Sequence, residues 1–240
     1  MPSPTPTTSP SPSPSGSSYS ATPGGYDISY PQGAGPYPTA PTFGIVGVSD
    51  GLPWSHNPYL ASQYAWAPAA PYSGFYMNTA NPGSASTHWT APGPHTCNGT
   101  SSDPGCAYNY GWNAAADALA YAQAQTGGAV GRAWWLDVET ANSWSADTYL
   151  NAIDLQGSID YLAAQNVPRV GVYSTASMWS SIAGTNQIVY SGGPVSEWLA
   201  TGASASSAPS YCSTTSFTGG VIAIVQYPSN GYDGDYGCGK

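Results

Sequence analysis

The 240-residue chain carries 12 acidic and 3 basic residues, a formal net charge of −9, together with 19 Tyr, 9 Trp, 29 Gly and 23 Pro. This balance argues against nucleic acid and anionic membrane surfaces as partners, because the cations that would neutralise phosphates are missing. Arg132, Arg169 and Lys240 are too few to pair the acids, so a carboxylate in an apolar segment needs a reason other than a salt bridge.

Residues 1–23 hold 7 Pro, 8 Ser and 4 Thr. Such a stretch buries no apolar area and is expected to be an extended or disordered linker, suited to tethering a monomeric domain to another module. The composition changes at Gly24, and one domain is expected over residues 24–240, long enough for a single sizeable core. Strands are predicted at 25–29, 43–48, 74–78, 133–139, 169–173, 195–200 and 221–227. Most are continuous apolar runs, as in a parallel sheet covered on both faces. Helices are predicted at 57–67, at 109–125 with a stop at Gly127–Gly128, from an N-cap at Ser145 through 165, and at 176–183. The alternation predicts an α/β fold, most simply a single irregular (β/α) TIM-type barrel, with a doubly wound open sheet as the alternative. No Gly-rich phosphate loop follows the first strand, and no apolar run approaches the roughly 18 residues of a membrane span.

Four cysteines fall into two close groups, Cys97 with Cys106 and Cys212 with Cys238. An even count without a C-x-x-C pair favours two disulfides and a secreted, extracellular chain. His88 and His95 lie near the first pair, but no tight ligand pair stands on a regular element, so neither metal nor cofactor is expected. Gly47–Gly51 matches the G-x-S-x-G pattern of a nucleophile elbow. That chemistry wants a downstream histidine, and His56, His88 and His95 are all early and loop-like.

The strongest chemical feature is the run Ala133-Trp134-Trp135-Leu136-Asp137-Val138-Glu139. Read as a strand, it ends in two carboxylates at alternate positions, on one face and about 6.6 Å apart at Cα. At the C-terminal end of a barrel strand they would sit where active sites form. Like charges without cations raise each other's pKa, so one carboxyl group can hold a proton near neutrality, as glycoside hydrolysis requires. Asp27 ends the first predicted strand, and Asp233 and Asp235 follow the last. A closed barrel makes those strands neighbours. Taken singly, these aspartates also fit turns or a calcium loop. Trp54, Trp89, Trp112 and Trp144, near loops and element ends, are candidate sugar-stacking residues, although large aromatics also fill cores.

These segments resemble, in order, the motifs of the glycoside hydrolase family 25 lysozymes. Gly25-Tyr26-Asp27-Ile28-Ser29 is similar to the family's opening Gly-x-Asp-x-Ser, and Gly74-Phe75-Tyr76-Met77-Asn78 to its third-strand tyrosine segment. Leu136-Asp137-Val138-Glu139 resembles its Asp-x-Glu strand, and Gly171-Val172-Tyr173-Ser174 with Trp179 its Gly-Ile-Tyr-Thr…Phe-Trp segment. Glu197-Trp198-Leu199-Ala200 resembles Leu-Trp-Ile-Ala, and Gln226-Tyr227 the Gln-Tyr before a final aspartate. The resemblance covers nearly everything after Gly24. It departs at Val225, where the family has Trp, at Met77, where His is frequent, and at Asp50-Gly51, where Glu-Gly is common. The chain is therefore similar to divergent actinobacterial glycoside-hydrolase-like secreted domains.

The resemblance implies cleavage of a peptidoglycan-type polysaccharide, with Glu139 as general acid/base. Asp137, Asp27 and one of Asp233 or Asp235 would support it. Tyr76, Asp50, Tyr173, Trp198, Gln226 and Tyr227 are the implied substrate-binding residues. The alternative function is a catalytically inactive carbohydrate-binding or cell-wall-attached module on the same barrel.

Overall fold

The structure is a computed structural model, and it describes residues 19–240. Eight strands close into one barrel in sequence order: β1 (Ala21–Ile28), β2 (Gly44–Gly47), β3 (Gly74–Asn78), β4 (Ala133–Asp137), β5 (Val170–Ser174), β6 (Ser196–Ala200), β7 (Val221–Ser229) and β8 (Tyr232–Cys238). All seven predicted strands are present. Strand β1 opens at Ala21, inside the stretch read as linker; residues 1–18 of that stretch lie outside the described residues.

The eighth strand corrects the expectation of an all-parallel sheet. Strands β1 to β7 pair in parallel, but β8 runs antiparallel to both β7 and β1 and closes the barrel between them. Its sequence, Tyr-Asp-Gly-Asp-Tyr-Gly-Cys, reads as a turn because of its glycines. Those glycines are there for space: a Cβ on Gly234 would lie 2.6 Å from the Tyr227 ring, and one on Gly237 2.5 Å from Tyr72.

The helices are α1 (Leu60–Trp66), α2 (Pro104–Thr126), α3 (Thr148–Ala164), α4 (Ala176–Ile182) and the short α5 (Ala208–Tyr211), which was not predicted. Helix α2 begins five residues earlier than expected. Asp103 caps it by accepting from the Cys106 amide at 3.0 Å, and Pro104 occupies the first turn, where a missing N–H costs nothing. Gly127, at φ +68°, stops it as predicted. The cap of α3 is Asp147 rather than Ser145; its carboxylate accepts from the Tyr149 amide at 2.9 Å. Helices α2 and α3 pack backbone to backbone. A Cβ on Gly111 would lie 1.9 Å from the Asp154 carbonyl, and one on Gly157 2.1 Å from that of Tyr108.

Two cores result. The larger lies between barrel and helices and includes Val46, Phe75, Trp134, Leu136, Leu155 and Ile159. The smaller fills the barrel itself with Phe43, Ile45, Tyr72, Trp135, Trp198 and Ile224. Large rings enter so narrow a barrel because Gly25 and Gly171 leave room: a Cβ there would meet Phe43 at 2.1 Å and Trp135 at 2.3 Å. Strand alternation thus sends Trp134 outward and Trp135 inward, and carries the inward face of β4 up to Asp137. Both predicted disulfides form, Cys97 with Cys106 and Cys212 with Cys238. Among the described residues, no helix is long and apolar enough to cross a membrane.

Candidate active site

Above the aromatic filling, at the C-terminal ends of the parallel strands, the barrel opens into a pocket of about 250 Å³. Asp27, Asp137, Glu139 and Asp233 line it, with Tyr76, Tyr173, Trp198 and Gln226. Register explains the convergence. Asp27 of β1 stands opposite Asp233 of β8, so both side chains share a face, and Asp137 lies between Asn78 of β3 and Tyr173 of β5. Glu139, two residues past Asp137, continues the inward alternation just beyond the end of β4.

The four acids have different surroundings. Asp137 is buried; its Oδ2 accepts from the Asn78 side-chain amide, while its Oδ1 has no partner. Asp27 is also buried and accepts from Gln226 Nε2 at 3.0 Å, and Gln226 in turn accepts from the Tyr173 hydroxyl at 2.9 Å. Glu139 is half-buried, and no side-chain or backbone donor of the described residues reaches its carboxylate. Its backbone carbonyl accepts from Trp144 Nε1 at 2.8 Å, which holds the segment after β4 in place. Asp233 stands exposed at the rim.

No cation offsets this charge. Among the described residues no Lys or Arg pairs with a carboxylate, and the contact between His56 Nε2 and Asp117 Oδ2 at 2.8 Å lies outside the pocket. Arg132 directly precedes β4, Arg169 directly precedes β5, and Lys240 follows β8, so all three basic residues lie at the opposite end of the barrel. Burial therefore acts with little opposition. It pushes Asp27 up to about 8, with the charge of Asp233 adding to it. Asp137 is raised well above the ordinary carboxylate range by burial and then by Glu139 and Asp27. Glu139 is raised by desolvation and by Asp233, and Asp233 by desolvation. Tyr76 and Tyr173 are pushed up by burial, so both remain neutral hydrogen-bond donors. The pocket thus contains two buried carboxyl groups, Asp27 and Asp137, able to hold protons near neutral pH, beside Glu139 and Asp233, whose proton affinity is also raised.

Several expectations need correction. Asp235 does not line the pocket; it is fully buried beneath it, where its Oδ1 accepts from Trp198 Nε1 at 2.8 Å. Burial and the charge of Asp27 raise it well above the usual range. Of the two C-terminal aspartates, Asp233 is the one at the pocket. Tyr227 points the other way, out of the barrel, and packs with Ala208 and Val225 beside α5. Asp50 is exposed in the loop after β2, its backbone amide tied to Ser55 Oγ at 2.9 Å, and it does not reach the pocket.

The four tryptophans considered for stacking are also elsewhere. Trp89 is buried against Cys106 and Tyr110, Trp54 stacks on His88 at 3.9 Å, Trp112 packs edge-on against Tyr161, and Trp144 braces Glu139. The aromatic walls of the pocket are Tyr76, Tyr173 and Trp198, the last two edge-to-face at 4.7 Å. Asn78 was missed as a functional residue. Its signal was plain alternation, since it lies two residues beyond Tyr76 on the same face.

No family model matches the chain, and no curated protein matches it. Solved structures do. A bacterial lysozyme of Streptomyces coelicolor is 18% identical with a TM-score of 0.56, over 88% of this chain and 86% of that one. A muramidase of Trichobolus zukalii is 17% identical with a TM-score of 0.58, over 91% and 95%. A glycosyl hydrolase 25 of Streptococcus pneumoniae is 16% identical with a TM-score of 0.52, over 89% and 85%. At such identities the likeness is one of fold: this chain is built on the same barrel as these lysozymes and muramidases.

Proposed function

We propose that this domain is a secreted glycoside hydrolase acting on a cell-wall polysaccharide of the peptidoglycan type. One observation carries the reading: Glu139 projects into an acid-lined pocket with no internal partner for its carboxyl group and with a raised affinity for its proton. Glu139 donates that proton to the glycosidic oxygen as the bond to the anomeric carbon breaks. Asp137, Asp27 and Asp233 stabilise the positive charge that develops on the sugar. Water then adds its hydroxyl to the anomeric carbon and returns its proton to Glu139. Tyr76, Tyr173 and Trp198 give the sugar apolar walls, and Gln226 fixes Asp27. The fold shared with lysozymes and muramidases supports the substrate class. The two disulfides support secretion. A monomer tethered through the Pro/Ser/Thr-rich residues that precede β1 fits the composition of that segment.

The test is hydrolysis of purified peptidoglycan and of N-acetylated oligosaccharides, read as new reducing ends. Glu139→Gln is expected to abolish turnover while leaving the fold intact. Full activity in that variant overturns the assignment, and binding of glycans by the unmodified chain without turnover shows the inactive carbohydrate-binding module instead.

A further inference from the structure

The rim of the barrel beside β1 and β2 exposes apolar rings on loops that are firmly held. Six large apolar side chains are exposed among the described residues. Three of them, Tyr30, Leu52 and Tyr59, lie in the segments that follow β1 and β2, at the pocket end of the barrel. Tyr30 rests against Gly51, where a Cβ would lie 3.3 Å from the tyrosine hydroxyl, and Tyr59 against Gly33, where a Cβ would lie 3.9 Å from Cζ. Both glycines have positive φ, +81° and +54°, so the backbone under each ring stays bare while the ring keeps a face to solvent. The strip is continuous with the pocket. Ser29, next to Tyr30, stands beside the pocket wall Tyr76 over Gly47: a Cβ there would lie 2.6 Å from Ser29 Cβ and 2.7 Å from Tyr76 Cζ.

A fully buried amide pair fixes the two loops. Asn57 Nδ2 donates to the Gly47 carbonyl at 2.8 Å and to Gln63 Oε1 at 2.7 Å, and Asn57 Oδ1 accepts from the Tyr59 amide at 3.0 Å. Gln63 Nε2 donates to the carbonyls of Ser29 at 2.6 Å and Gly33 at 3.1 Å, on either side of Tyr30. Ser55 Oγ accepts from the amides of Asp50 and Leu52 and so pins the turn that carries Gly51. Rings held in this way lose little freedom when a ligand covers them. We infer that Tyr30 and Tyr59, with Leu52, form a stacking track for sugars of the glycan beyond the unit held in the pocket, which makes a polymer rather than a short oligosaccharide the preferred substrate. The inference rests on the hydrolase reading and extends it along the chain of the substrate. The apolar face of a sugar ring packs on tyrosine while its hydroxyls stay in water. Asp50, exposed beside Gly51, adds a carboxylate that can accept from such a hydroxyl.

Peptide-free glycan strands from peptidoglycan, a tetrasaccharide and strands at least twice as long, test the track. In the full chain, kcat/KM should rise by about tenfold or more from the short to the long strand. Tyr30→Ala with Tyr59→Ala should cut that gain to less than about threefold, mainly through KM, whereas Val189→Ala, an exposed site at the opposite end of the barrel, should keep it. Affinities from calorimetry in a Glu139→Gln background should show the same dependence on length. A gain that survives the double substitution, or an equal loss on short and long strands, overturns the inference and leaves the hydrolase reading standing. No cleavage of either strand, with length-dependent binding that the double substitution removes, keeps the track and overturns the hydrolase reading. Failure to bind either strand overturns the inference.

Discussion

The chain has only two glutamates, Glu139 after β4 and Glu197 on β6, and both lie in apolar strand segments without a cation. Their surroundings differ completely. Glu197 is fully buried, and its carboxylate accepts from the Thr218 amide and hydroxyl, each at 2.6 Å, from the Phe217 amide at 3.2 Å and from the Ser216 hydroxyl. Neutral donors hold it, and in return it fixes the 216–218 loop against β6. Glu139 has none of these donors and faces an open pocket. Burial of an acid therefore says little by itself. The donors around it decide whether it holds the structure or awaits a ligand.

Four measurements bear on this contrast. Glu139→Gln is expected to lower turnover by roughly a thousandfold or more, with the melting temperature almost unchanged. A large loss of stability would mean that Glu139 also holds the fold. Glu197→Ala should do the reverse. Leaving two backbone amides and the Ser216 and Thr218 hydroxyls without their acceptor should cost about 3 kcal/mol, roughly 10 °C in Tm, with activity retained below the transition.

The third concerns pH. Asp27, Asp137 and Asp235 have folded pKa values above the unfolded value of 3.8, so the folded chain holds protons that the unfolded chain releases. Each contribution is fully present below about pH 4 and is lost as pH rises through the folded pKa, which for Asp27 is about 8. Melting temperature should decline across that window, and Asp27→Asn should flatten the decline; a steady rise would contradict the protonated pocket. The smallest effect is expected for Ser216→Ala, which removes one of four donors to Glu197 and should cost about 1 kcal/mol in a denaturant titration, with no change in kcat.

Much of the barrel was legible because its strands are apolar runs bounded by turn residues, and Asp137 and Glu139 stood out as the end of the most apolar of them. What escaped depended on space and register. Strand β8 was hidden because Gly234 and Gly237 signal flexibility in sequence, whereas in the fold they accommodate the Tyr227 and Tyr72 rings. Tyr227 was placed at the site beside Gln226, although neighbouring strand residues face opposite ways; only Gln226 faces inward. Asp50 lies three residues past the end of β2, where strand alternation no longer sets its direction. Choosing between Asp233 and Asp235 required the pairing of Asp27 with Asp233 across β1 and β8.

That pairing also decides when the site comes into being. The Gln226–Asp27 bond joins residues 199 positions apart, and Asp233 meets Asp27 only after β8 has slotted between β7 and β1. A ribosome that has delivered β1 to β7 has made seven of the eight residues that line the pocket but not Asp233, which comes with β8. Contacts of such span carry a large loop-closure cost and form late on the folding path. The pocket is therefore coupled to completion of the whole barrel: a chain that has not closed has no fully assembled site.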